Sequence, residues 1–140
     1  MPRYTTRTLP SLRSLDDALS ELGGKEHATL AHNTVLHRSV QVTPRGNREA
    51  AELTLHGKPI VRWTREGAYV SLAGWPTVTT RQRINAVIPS RPVWQSKHEQ
   101  WVEHLTPEGE VQTRIIGRHE WVQVQALSTA TLAVLEGGLP

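Results

Sequence analysis

The sequence contains no cysteine, no phenylalanine, a single methionine and only two aspartates, the adjacent Asp16 and Asp17. Without cysteine there can be no disulfide, thiol nucleophile or thiolate metal site. With so little aspartate, a carboxylate cluster of the two-metal kind would have to be built from glutamates alone. The missing phenylalanine shifts aromatic bulk onto five tryptophans. No apolar run approaches the roughly 18 residues of a membrane span, and MPRYTTRTLPSLR at the N-terminus lacks the apolar centre of a secretory signal. There is no Ser-centred nucleophile elbow and no phosphate-cradling glycine loop.

What is present is a mildly basic chain of 140 residues, net charge +3 and pI about 9.8. Its length suits one domain with a real core. The expected division is a flexible tail over residues 1–13 and a single domain over 14–140. Ser14 to Gly24 reads as a helix: Ser14 caps it, Asp16 and Asp17 lie in the first turn, where they favour the positive dipole end, and Gly23 terminates it. Leu15, Ala18, Leu19 and Leu22 form its apolar stripe. This placement makes both aspartates structural. Strands are expected at Thr34–Leu36, at Val40–Val42 and from Glu49 to Leu55, with a turn at Thr43–Asn47.

The central stretch is LHGKPIVRWTREGAYVSLAGWPTVTTRQRINAVIP, Leu55 to Pro89. Lys58–Thr64 and Ala68–Leu72 read as an antiparallel hairpin turning at Arg65-Glu66-Gly67. Pro76 ends the second strand. Thr79 or Thr80 is placed to cap a helix from Arg81 to about Val87, with Ile84, Val87 and Ile88 on one face and Pro89 as its stop. Two turns of helix do not stand alone in water, so this one must dock on the sheet. Farther on, strands at 93–95, 101–105, 111–116 and 121–124 read as a meander. A near-repeat, KHEQWV and RHEWV, falls where hairpins should turn. Residues 126–135 read as a short C-terminal helix, with a threonine and valine content that also allows a strand.

The run LHG, GW, TVTT, RIN and a late proline resembles the core of a family of small bacteriophage and prophage proteins, mainly of actinobacteria. The match covers about a quarter of the chain, and Lys58-Pro59 and Glu66 stand where that family carries aspartate. The resemblance implies a phage origin and a shared fold. It implies no reaction.

Charge is unevenly spread: Lys58 to Arg91 carries six basic residues against Glu66, whereas Lys97 to Glu120 is net acidic. Histidines 27, 32 and 37 recur at odd spacing, which on a strand alternates faces and cannot form one metal site. His98 and His119, each followed by glutamate, read as solvated turn residues. No catalytic or metal-ligating set emerges and no cofactor is expected; the chain reads as a binding protein, and nothing in it calls for an enzyme.

The fold expected from these patterns is α+β, an antiparallel sheet of hairpins or meander with two or three short packed helices. The expected function is a non-catalytic phage accessory protein that binds nucleic acid or another polyanion through an Arg-rich helix N-terminus. The residues pointed to are Arg62, Arg65, Trp75, Thr79, Thr80, Arg81, Arg83 and Arg91: cations and free amides for phosphate, an indole for a base. The alternative is a protein-interaction module acting on a host enzyme or defence system. Either would act in the cytoplasm of the bacterial host, with no membrane partner, and free sheet edges allow a homodimer.

Overall fold

The computed structural model describes residues 9–125. Elements follow in the order α1 (Leu15–Leu22), β1 (His27–Ala31), β2 (Thr34–Thr43), β3 (Gly46–Leu55), β4 (Lys58–Thr64), β5 (Gly67–Val70), α2 (Val78–Val87), β6 (Val93–Ser96), β7 (Glu99–Leu105), β8 (Val111–Ile115) and β9 (Val122–Gln125). They form a six-stranded antiparallel sheet, β1-β2-β3-β4-β5-β9, and a three-stranded one, β6-β7-β8.

This corrects the α+β expectation: among the described residues the protein is mostly β, with two short helices. Two regions explain the difference. The apolar bursts at Thr34–Leu36 and Val40–Val42 belong to one ten-residue strand that pairs along its whole length with β3. The expected meander also divides. Its first three strands make the small sheet, but β9 pairs with β5 and completes the large one. Thus the second near-repeat, around His119, connects two sheets, while the first, at Lys97-His98, does turn a hairpin. The expected C-terminal helix lies outside the described residues.

The large sheet buries one face. Leu36, Leu53, Val61 and Val70 lie in register across four strands, followed by Ala51, Trp63 and Ala68 one pair farther along. A register shift at Leu53/Thr54 leaves Ile60 without a directly opposed residue, so Ile60 and Val61, although adjacent, are both buried. Helix α1 supplies Leu15, Ala18 and Leu22 to this core. Its cap follows the sequence logic: the Asp17 amide donates to Ser14 Oγ, and Asp17 in turn accepts from the Arg13 amide.

Residues 9–13, assigned to the tail from sequence, are packed. Leu9 and Leu12 are buried, the Leu12 amide donates to the Val87 carbonyl, and Trp63 Nε1 donates to the Leu12 carbonyl at 2.9 Å. The N-terminal segment therefore ties α2 to the centre of the large sheet. The apolar spacing Leu9, Leu12, Leu15 was the signal for this.

Helix α2 also starts earlier than expected. Its cap is Thr77, whose Oγ1 accepts from the Thr80 amide, and neither Thr79 nor Thr80 occupies that position. The proline at 76 and the buried Thr80 explain the earlier start: Thr80 sits one turn before Ile84, on the face that meets the core. At the far end Asn85 reaches the small sheet. Its Oδ1 accepts from the Val93 amide at 3.1 Å and its Nδ2 donates to the Val93 carbonyl at 2.6 Å. Register and the Glu103-to-Pro92 bond turn Val93 away from β7, so Asn85 stands in for the missing neighbouring strand. Replacing Asn85 with alanine leaves two buried backbone groups unpaired and should cost about 1–3 kcal/mol in urea denaturation. Asn85→Asp should be no milder, because it sets a carboxylate oxygen against the Val93 carbonyl.

Candidate nucleic-acid interface

Two surface clefts flank the first turns of α2. The first is shaped by a tight turn at Leu72-Ala73-Gly74-Trp75. Ala73 and Gly74 both have positive φ, 53° and 82°, and the Trp75 amide returns to the Leu72 carbonyl. Glycine is required at 74 on two counts: the left-handed backbone, and the His119 ring, whose Cε1 would lie 2.6 Å from an added Cβ. The turn throws Trp75 outward, where it is 57% exposed.

The first cleft, about 490 Å³, has an apolar floor of Leu55, Ile60 and Leu72. Its rim carries His56, Lys58, Trp75 and Thr79. Lys58 Nζ lies 5.3 Å from the centroid of the Trp75 ring, a cation–π arrangement that holds a positive charge beside an exposed aromatic face. Thr77 satisfies the Thr80 amide, and the Arg81 amide donates to the Thr77 carbonyl. The Val78 and Thr79 amides have no such partner among the described residues, at the positive end of the helix dipole.

The second cleft, about 550 Å³, runs between the outer face of α2 and strand β6. Arg81, Gln82, Asn85, Arg91, Trp94 and Gln95 line it. Gln95, like Val93, turns its backbone groups away from β7, which places another donor and acceptor toward this side. One Arg81 nitrogen, Nη1, donates to the Pro76 carbonyl and to Gln100 Oε1, fixing the guanidinium at the cleft wall without a carboxylate partner. Among the described residues, no aspartate or glutamate lines either cleft.

The structure thus divides the residues that sequence grouped together. Trp75, Thr79 and Thr80 belong to the first cleft, with Thr80 buried in its wall, and Arg81 and Arg91 to the second. Arg83 is turned elsewhere: its Nε donates to Thr34 Oγ1 at 2.9 Å, and burial lowers its pKa from the ordinary arginine value. Arg62 lies on the sheet face opposite Trp63. There it is bound to Glu52 at 2.5 Å and stacked 4.6 Å from the Trp121 ring centroid. It lines a third depression of about 330 Å³ with Tyr69 and Trp121. Burial and Glu66 raise the Tyr69 pKa there, so its phenol stays protonated. Arg65 is exposed in the β4–β5 turn.

Sequence reasoning missed His56, Lys58, Gln82 and Trp94 as cleft residues. Lys58 was readable: a hairpin that pairs Val61 with Val70 carries Lys58 opposite Ala73, beside Trp75. Trp94 was not, because only the docking of α2 against β6 makes its position part of a groove. No group of three His, Asp or Glu side chains among the described residues could hold a metal ion. No described helix is long and apolar enough to cross a membrane.

The model of one protein family, described as Kyanoviridae Gp96 protein, matches residues 23–127, a span that includes both clefts. No curated protein and no solved structure matches the chain.

Proposed function

The chain belongs to the Kyanoviridae Gp96 protein family, a family of phage proteins, and from the surface around α2 we propose that it is a non-catalytic phage accessory protein that binds single-stranded nucleic acid. It acts in the cytoplasm of the bacterial host. The narrower origin in phages of actinobacteria rests on the LHG, GW, TVTT and RIN run alone.

One observation carries the reading: Trp75 and Trp94, both exposed, flank the same helix start in clefts that hold Lys58, Arg81 and Arg91 and, among the described residues, no carboxylate. Single-strand binders combine aromatic platforms for bases with cations for the backbone. Trp75 and Trp94 supply the platforms. Lys58, Arg81, Arg91 and the first amides of α2 supply the charge. A duplex keeps its bases stacked on one another and would meet only the cations. Nothing in this surface reads base edges in the manner of a recognition helix, so binding is independent of sequence.

The test is a titration of intrinsic tryptophan fluorescence with a single-stranded oligonucleotide and its duplex at several salt concentrations. Single strands should quench and bind more tightly. With about three phosphates neutralised, log K should fall against log salt with a slope near −2. Lys58→Ala, Arg81→Ala and Arg91→Ala should each flatten that slope, whereas Arg83→Ala should not, since its guanidinium faces Thr34. Absence of binding at low salt, together with a host protein retained after nuclease treatment in a pull-down, would favour the rival class, a protein-interaction module.

A further inference from the structure

Strand β8 is the last strand of the small sheet among the described residues. Its pairing with β7 fixes which backbone groups face out. The Ile116 amide donates to the Gln100 carbonyl and the Thr106 amide to the Glu110 carbonyl. In the same register Arg114 and Gln112 exchange bonds with β7. Val111, Thr113 and Ile115 therefore direct their N–H and C=O groups away from the sheet. Val111–Ile115 contains no proline or lysine, and its register with β7 runs without a shift; its one charged residue is Arg114. Its apolar side chains are exposed, Val111 at 60% and Ile115 at 45%.

We propose that a second copy of this chain pairs antiparallel with β8 about a two-fold axis through Thr113. The strand is self-complementary in that arrangement. Thr113 meets Thr113 of the second copy, Val111 meets its Ile115, and Arg114 lies opposite its Gln112. No like charges are opposed, and apolar residues meet apolar residues. The one charged side chain is already neutralised, because Arg114 is held bidentately by Glu120 at 2.6 and 3.1 Å. Arg114 Nη1 also donates to the Ile115 carbonyl. That oxygen has a second lone pair for an incoming amide. The product is a continuous six-stranded sheet across two copies, joined by pairing at the small end of specific interfaces, so the dimer is concentration-dependent. This inference does not depend on nucleic-acid binding.

Analytical ultracentrifugation over a concentration series reaching about 200 μM, a range suited to weak interfaces, tests it. The wild-type chain should pass from monomer to dimer. Thr113→Lys and Thr113→Glu each place like charges across the axis and should weaken self-association about tenfold or more. Thr113 is exposed and its amide is not used by β7, so both variants should keep the wild-type circular dichroism. An equimolar mixture of the two should recover the dimer, a result that only pairing at this axis produces. A wild-type chain that stays monomeric throughout overturns the proposal. So does a dimer that both variants leave intact.

Discussion

Trp63→Ala is expected to bring the domain close to unfolding at room temperature. The Trp63 side chain is fully buried at the centre of the large sheet, in register with Ala51 and Ala68. Two small residues beside it leave the indole to fill most of that space, and little can collapse into the void once it is gone. Truncations of this kind cost about 3–5 kcal/mol. The change also removes the Nε1–H donor from the Leu12 carbonyl, a bond spanning 51 residues of sequence. An acceptor left unpaired adds about 1–3 kcal/mol. Against a total stability of about 5–15 kcal/mol for a domain, the sum is a large share of what is available. Urea denaturation followed by far-UV circular dichroism measures it. Trp63→Phe separates the two contributions: it keeps much of the volume, loses the donor, and should cost clearly less than the alanine change. A loss below about 1 kcal/mol for Trp63→Ala would contradict the packing of the N-terminal segment described above.

That segment also shows where sequence was informative and where it was not. Local rules carried far. The Ser14 cap, the glycine stop at Gly23 and the hairpin turning at Arg65–Gly67 all follow from side-chain chemistry within a few residues, and each is present. Failures came where a distant partner decides. Leu9 and Leu12 look like tail residues until the Trp63 donor and the Val87 carbonyl receive them. Strand β9 looks like the fourth strand of a meander, because nothing in 122–125 announces that β5 has an open edge.

The candidate site divides along the same line. Trp75 was legible, since a Gly-Trp-Pro run after a strand must turn and expose something large. Arg83 and Arg81 are two residues apart on one helix, and sequence alone weighs them equally. Helical geometry separates them by about 200°, and the sheet beneath then binds one to Thr34 and leaves the other at the cleft wall. Arg62 counts as positive charge in any census of the stretch, yet Glu52 sits directly opposite it on β3 and neutralises it. The net charge of a segment therefore overstated the charge that a ligand could meet.

The largest expected effect on function comes from removing both aromatic platforms. Trp75→Ala and Trp94→Ala should each weaken single-strand binding by about 1–3 kcal/mol, roughly 5- to 150-fold, the usual worth of one stacked base. The double variant should leave only weak, charge-driven association. Trp75→Phe should retain more of the affinity than Trp75→Ala, because a π-face remains for the base and for Lys58. Trp75 is 57% exposed, so its loss should change stability by no more than about 0.5 kcal/mol; Trp94, 37% exposed and opposite Trp101 on β7, should cost up to about 1 kcal/mol. The salt slope gives the sharper discrimination. Neither tryptophan carries charge, so the slope in the alanine variants should equal that of the wild type even as affinity falls. In Lys58→Ala the opposite holds: slope and affinity change together. Quenching should also divide by site: the Trp94 share should persist in Trp75→Ala and the Trp75 share in Trp94→Ala. If affinity survives in both tryptophan variants but falls with Lys58→Ala, Arg81→Ala and Arg91→Ala, the surface recognises a polyanion by charge and bases play no part. If neither set of changes matters, the strand does not cross α2 at all.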